Sequence, residues 1–241
     1  MDSFPFEGRL SQFLGIQPNQ LAETCLEFYK AFTSAEKALG STKSLDVNEA
    51  FVLWAVLKHT GCHKVLELGT HKGASTLFIK QVLYHFNPLF HKLISCDVKR
   101  LSPWWIDEKA FTFFEGDAEK LFPNILEDFQ IDCLFNDAHP YTLIDKSTKC
   151  ALDRDLPLLL FHDVGKKVFR ADSHILPEET KIRYNCPDDF GGSKFKYGHW
   201  ERHVMAKYFG REVLTEDFFI TKKHKIGIFD STYGLGVVIK I

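Results

Sequence analysis

The chain begins with apolar positions three and four residues apart. In "PNQLAETCLEFYKAFTSAEKAL", Leu21, Cys25, Phe28, Phe32, Ala35 and Leu39 fall near one helical face. "SLDVNEAFVLWAVLKHTG" predicts a second helix, with Asp46 as its N-cap and Gly61 as its stop. Residues 1–60 therefore read as helical. From residue 61 the pattern changes to short, almost continuous apolar runs that alternate with helical periods. The predicted strands are "KVLELG", "KLISCD", "FTFFEGD", "IDCLFND" and "LPLLLFHDV". The predicted helices between them are "ASTLFIKQVLYHF", "AEKLFPNILEDF", with a break near Pro123, and "YTLIDKSTKCALDRD".

Strands of this kind, alternating with helices of this length, predict an α/β fold. It is a Rossmann-like, doubly wound, mostly parallel sheet buried on both faces. Residues 61–163 form its expected core, within a single domain spanning 1–241. Residues 164–198 are polar and weakly periodic, and they read as a lid insertion over the sheet edge. Over 199–241, "HWERHVMAKYF" reads as a helix. "KIGIFDS" and "GLGVVIKI" read as an antiparallel hairpin turning at Thr232-Tyr233-Gly234.

Each core strand ends in a glycine or an acid: Gly69, Asp97, Gly116-Asp117, Asp137 and Asp163. In open parallel sheets the ligand crevice lies outside that edge. Gly69 would let the chain turn sharply. Gly73 would let a ligand approach the start of a helix, where free N–H groups collect. The spacing is G-x-x-x-G, which differs from the dinucleotide fingerprint and lacks a P-loop lysine. A plain strand–turn–helix junction would explain it equally well. Glu67 is an acid inside an apolar strand, so it needs a structural or ligand partner. Asp97 would either accept hydrogen bonds from ribose hydroxyls or act as a cap or turn residue. Asp117 would either reach an adenine or cap "AEKLFP".

Taken in order, "VLELGTHKGAST", "LISCDVK", "FFEGDAEKLFP", "IDCLFNDAHPY" and "LPLLLFHDV" resemble the successive motifs of class I S-adenosylmethionine-dependent methyltransferases. The nearest branch includes small-molecule O-methyltransferases and cephalosporin-hydroxylase-like proteins, whose last strand "STYGLGVVIK" also resembles. The likeness spans about residues 45–163 and 226–241. It implies a seven-stranded sheet with an antiparallel last strand. It also implies S-adenosylmethionine as cofactor, held by Glu67, Gly69, Thr70, Gly73, Ser75, Asp97, Asp117 and Asp137. His71 stands where many such enzymes have another glycine, and its side chain would either crowd the cofactor or point outward.

Asp137 and Asp163 end strands expected to be neighbours, so their carboxylates would suit Mg²⁺ or another hard divalent metal. His162 would add an imidazole, although strand alternation would turn it away from Asp163. In metal-dependent relatives an acid stands first in the pair after the fifth strand. His162 at that position points to a softer metal, or to none. His139, two residues past Asp137, would act as general base on an acceptor hydroxyl, or would cap the helix near Tyr141.

The remaining signals narrow the classes. Net charge is −2, which gives no electrostatic case for nucleic acid or a membrane, and "KKHK" at 222–225 reads as solvated surface. No apolar run reaches the roughly 20 residues of a membrane span, and no signal-peptide pattern opens the chain, so the expected location is cytoplasmic. The six cysteines form no C-x-x-C pair and read as small buried hydrophobes in a reducing compartment. The 23 phenylalanines suggest a core or pocket rich in aromatic surface. "DAHPY" matches the amine-binding D-P-P-Y motif only superficially. Trp104 and Trp105 would cover an adenine or pack the sheet edge. Arg170, Arg183 and Lys194 in the lid would meet an acidic substrate or water.

The function expected is methyl transfer to an oxygen of a small-molecule acceptor, with metal assistance. The alternatives are a non-catalytic binding protein on the same scaffold, or a nicotinamide-dependent enzyme, which the glycine spacing disfavours. The N-terminal helices would serve equally to cover the sheet or to form a homodimer.

Overall fold

The computed structural model describes residues 6–39, 45–86, 89, 91–99, 109–138, 140–165 and 200–241, with backbone alone for 33–39. His139, the tryptophans at 104 and 105, Cys186 and residues 166–198 of the lid read over 164–198 lie outside these residues.

Three helices come first: α1 (Glu7–Leu14), α2 (Pro18–Leu39) and α3 (Val47–Thr60). Asp46 caps α3 as expected. Its carboxylate accepts from the Asn48 and Glu49 amides, and Glu49 accepts in return from the Asp46 amide, which completes a capping box. Gly61 ends the helix at φ 72°, in the left-handed region that a side chain disfavours.

The core alternates β1 (Lys64–Leu68), α4 (Ala74–Phe86), β2 (Lys92–Asp97), β3 (Phe111–Glu115), α5 (Ala118–Asp128), β4 (Cys133–Asn136), α6 (Tyr141–Asp153) and β5 (Leu158–Phe161). Next come α7 (Glu201–Phe209), a 3₁₀ turn (Arg211–Leu214), β6 (Phe218–Ile220), β7 (His224–Phe229) and β8 (Leu235–Lys240). The expected break at Pro123 is absent, because α5 runs through it. Only one backbone donor is lost there, and Phe122, Ile125 and Leu126 still bury the apolar face.

The strand order is β3-β2-β1-β4-β5-β8-β7-β6. β1 to β5 pair in parallel, and β8 runs antiparallel to both β5 and β7. The mostly parallel, doubly wound sheet and its C-terminal hairpin are as the sequence predicts, with one strand beyond the expected seven among the described residues. That strand, β6, adds "FFI" antiparallel to β7 at the sheet edge. Its Phe218 ring stacks edge-on to Phe13 of α1 at 5.7 Å. Three residues are too few to show an alternation in the sequence.

Alternate residues of each strand feed two cores. Val65, Leu93, Cys133, Phe135 and Leu160 pack against α1 to α4. Leu66, Ile94, Cys96, Leu134 and Phe161 pack against α5 to α7. Much of the phenylalanine expected in a core lies in the first layer, where Phe28, Phe51, Trp54, Phe78 and Phe86 form a contiguous aromatic cluster. Burying rings of this size supplies much of the drive that docks the N-terminal helices. Cys96 and Cys133 are buried free thiols, and burial pushes the Cys96 thiol up to about 12. No helix among the described residues is long and apolar enough to cross a membrane.

Candidate active site at the carboxyl edge of the sheet

The parallel ladder extends one residue past each strand. Gly69 N–H donates to Cys96 O at 3.0 Å, Gly116 to Asp97 O at 2.8 Å, Asp137 to Leu68 O at 2.9 Å and His162 to Asn136 O at 2.9 Å. These bonds bring the glycine and acid that end each strand to one edge. The order reverses between β1 and β4, which makes that junction the topological switch point.

Gly69 sits at the switch point with φ 89°, and a Cβ there would collide with the Asp137 carbonyl. The glycine is thus needed twice, for the turn and for close approach of the loops after β1 and β4. His71 also takes a left-handed conformation, φ 46°, and its side chain is exposed. It points outward, and the backbone keeps the shape a glycine would favour. Gly73 closes the turn, donating to Thr70 O at 2.7 Å.

Asp97 holds this turn from the end of β2. Its Oδ2 accepts from the Thr70 amide at 2.8 Å and the His71 amide at 2.6 Å, while Oδ1 accepts from Val98 N–H. Glu67 is fully buried, and its carboxylate accepts from the hydroxyls of Ser75 (2.7 Å), Thr76 (2.6 Å) and Ser95 (2.5 Å). Burial pushes its pKa up to about 7 against the pull of those three hydroxyls. Glu67 thus ties the first turn of α4 to β1 and β2. Asp117 caps α5. It accepts from the Glu119 amide at 3.1 Å, is exposed, and faces Lys120 at 3.4 Å.

On the other side of the switch point, Asp137, His162 and Asp163 converge, with one donor atom from each lying within 4.8 Å of the others. The expectation that His162 would turn away from Asp163 is corrected here. β5 ends at Phe161, and Asp163 adopts φ 60°, so strand alternation no longer applies. His162 Nδ1 lies 2.8 Å from Asp137 Oδ1 and 3.6 Å from Asp163 Oδ1.

The sequence reading missed Glu49. From α3 its Oε2 lies 3.4 Å from His162 Nε2. Its Oε1 accepts from the Tyr233 amide (2.8 Å), the Gly234 amide (2.6 Å) and the Ser231 hydroxyl. The available signal was an acid inside an otherwise apolar helix, three residues after its cap. Burial opposes ionisation of both Glu49 and His162, but their mutual bonds prevail. Glu49 is held down at about 2, and His162, which also feels Asp137 and Asp163, is held well above the usual histidine range. Glu201, at the start of α7, was missed too. It is fully buried, and its charge is coupled to Asp163 and Asp137. An acid beside a tryptophan at a helix start gave no signal.

No protein-family model matches the chain, and no curated protein matches it in sequence. Solved structures do match in fold. The SAH-bound methyltransferase PaMTH1 of Podospora anserina aligns with a TM-score of 0.51 at 13% identity, over 89% of this chain and 87% of that one. MycE, a methyltransferase of the mycinamycin biosynthetic pathway solved with Mg, SAH and mycinamycin VI, gives 0.51 at 15% identity, over 86% of this chain and 53% of that one. Cofactor-bound Rv0187 from MTB gives 0.50 at 11% identity, over 99% and 98%.

Proposed function

Starting from a class I methyltransferase fold, we propose that the chain binds S-adenosylmethionine across the carboxyl edge of β1 to β4. It transfers the methyl group to an oxygen of a small-molecule acceptor. The observation that carries this reading is the turn at the switch point, where Asp97 grips the Thr70 and His71 amides and Gly69 packs on the Asp137 carbonyl. A half-buried carboxylate ending β2 fits a ribose diol. The proposed cofactor set is Glu67, Gly69, Thr70, Gly73, Ser75, Asp97, Asp117 and Asp137. Within it Glu67 and Ser75 act by fixing the loop, since their polar atoms already bond each other.

When bound, the cofactor supplies an electrophilic methyl on a sulfonium. The protein's own contribution is alignment of the acceptor and acceptance of its proton. His139 is the proposed base.

Asp137, His162 and Asp163 fit a divalent cation. Asp137 Oδ1 and Asp163 Oδ1 lie 2.8 Å and 3.6 Å from His162 Nδ1, inside the roughly 4.2 Å that separates two ligands opposite each other on bonds of about 2.1 Å. Glu49 behind His162 has the place of the carboxylate that orients a metal-bound imidazole. When bound, such a cation would lower the pKa of an acceptor hydroxyl. Net charge of −2 disfavours nucleic acid as acceptor.

Calorimetric titration with S-adenosylmethionine and S-adenosylhomocysteine, with and without Mg²⁺, tests the reading. Micromolar binding is expected. Absence of binding in every condition would remove the enzyme reading and leave a non-catalytic protein on this scaffold.

A further inference from the structure

β6 ends the sheet, and no described strand pairs with its outer side. Its ladder to β7 fixes which backbone groups face outward. Ile228 N–H donates to Asp217 O at 2.7 Å, and Thr221 N–H donates to His224 O at 2.9 Å. Hydrogen-bonded positions alternate along an antiparallel strand, so Asp217, Phe219 and Thr221 turn their backbone groups toward β7. Phe218 and Ile220 turn theirs away from it. An edge of this kind is a template for another strand. Ile220 is 57% exposed, and Phe218 and Phe219 are half-buried, so the template also carries apolar side chains.

The flanking charges narrow what can pair there. Residues 215–223 read "TEDFFITKK", acidic before the strand and basic after it. Glu216 and Lys222 are exposed, and neither side chain has a hydrogen-bond or ion-pair partner among the described residues. Flanks of one sign would repel a second copy of the same edge, but here the two ends carry opposite signs. A second copy running antiparallel uses both outward residues in one register, with Phe218 opposite Ile220 and Ile220 opposite Phe218 about a two-fold axis at Phe219. That register sets Glu216 of each copy opposite Lys222 of the other. It also brings the two Phe219 side chains together across the axis and lays Phe218 of one copy beside the exposed Ile220 of the other. A parallel pairing in register would instead set like charges together.

We propose that β6 is a dimer edge, where two copies of this chain join antiparallel through Phe218 and Ile220 and are held in register by reciprocal Glu216–Lys222 pairs. The occupant is a second copy because the edge supplies its own complement in backbone, apolar side chains and charge at once. The described sheet of each copy would continue across the axis into that of the other. Three paired residues bury little area, so the dimer falls at the weak end of the range of interface sizes, and its exposed charge pairs make it weaken with salt. The basic run at 222–225, which the proposed function does not use, gains a role at its first residue.

Sedimentation velocity of the full chain over a series of concentrations, at low and high salt, is the test, with near-ultraviolet circular dichroism as the folding check. Wild type is expected to form a concentration-dependent dimer that weakens at high salt. Glu216→Lys and Lys222→Glu each set like charges opposite each other, and each is expected to raise the dimer Kd at least tenfold. An equimolar mixture of these two variants puts opposite charges back in the same register, as does the double variant carrying both changes. Both samples are expected to dimerise as wild type does. Ile220→Pro removes an outward amide and leaves the bonds to β7 intact, so it is expected to give a monomer. If Ile220→Pro loses its near-ultraviolet signal, the charge exchange decides, because both of its positions are exposed. Wild type that stays monomeric at every concentration overturns the inference. A dimer that survives both charge reversals also overturns it, and places the contact on another surface such as the N-terminal helices. Charge reversals that weaken the dimer without rescue by mixing overturn the proposed register and the inference with it.

Discussion

Glu49 on α3 and His162 after β5 are 113 residues apart in the chain, yet their side chains meet at 3.4 Å in the buried interior. The same glutamate also holds the turn between β7 and β8 through Tyr233, Gly234 and Ser231. One carboxylate therefore joins the N-terminal helical layer, the end of β5 and the closing hairpin.

Removing one partner of a buried charge pair leaves the other uncompensated, at a cost of about 3–5 kcal/mol. Glu49→Ala should lose stability on that order in urea unfolding, and Glu49→Gln less, because it keeps the shape and some hydrogen bonds. A loss below about 1 kcal/mol for Glu49→Ala would show that the pair does not hold these elements together.

Gly69 combines a left-handed backbone with contact against the Asp137 carbonyl. Gly69→Ala should cost at least about 2 kcal/mol. For a chain of this size that corresponds to a fall in Tm of roughly 4 °C or more, readable by differential scanning calorimetry. An unchanged Tm would mean that the two loops separate freely.

His71 occupies a left-handed position with an exposed side chain. His71→Gly relieves about 1–2 kcal/mol of local strain and pays part of it back in chain entropy. The expected result is no destabilisation, a gain of up to about 1 kcal/mol, and undiminished S-adenosylhomocysteine binding. Weaker binding in this variant would give the imidazole a role in holding the cofactor.

Asp97 should be felt at the amides it binds. In Asp97→Ala, hydrogen exchange at Thr70 and His71 should accelerate at least tenfold while the amides of β4 stay protected. The S-adenosylhomocysteine Kd should rise at least tenfold. Faster exchange with unchanged affinity would restrict Asp97 to shaping the loop.

Glu67 makes the fold pH-sensitive in a direction unusual for an acid. Its pKa is raised in the folded state to about 7, so between about 4.5 and 7 the folded chain binds more protons than the unfolded one. Its contribution is fully present below the unfolded pKa and is lost as pH rises through about 7, by an amount on the order of 3 kcal/mol. Denaturant midpoints for Glu67→Gln should vary less with pH across that window than those of wild type. Parallel pH profiles for the two proteins would refute the assignment.

The alternation of strands and helices was legible in the chain because it is local. Strands buried on both faces must be continuously apolar, and a helix packed on one side must repeat its apolar residues every three to four positions. The glycine or acid ending each strand was legible for the same reason, and the parallel ladder then set those residues along one edge. What the sequence left open depends on contacts between distant segments. Alternation along β5 pointed His162 away from Asp163, but the strand stops at Phe161 and the backbone reverses hand at Asp163. Glu49 fits its local role as a capping-box residue, and its second role at His162 exists only because the aromatic layer docks α3 against the sheet. Glu201 resembles any acid at a helix start until the packing of α7 buries its carboxylate and leaves it without a hydrogen-bond partner among the described residues. Local periodicity determined the scaffold, and the docking of two helical layers on opposite faces of the sheet decided which charges meet at its edge.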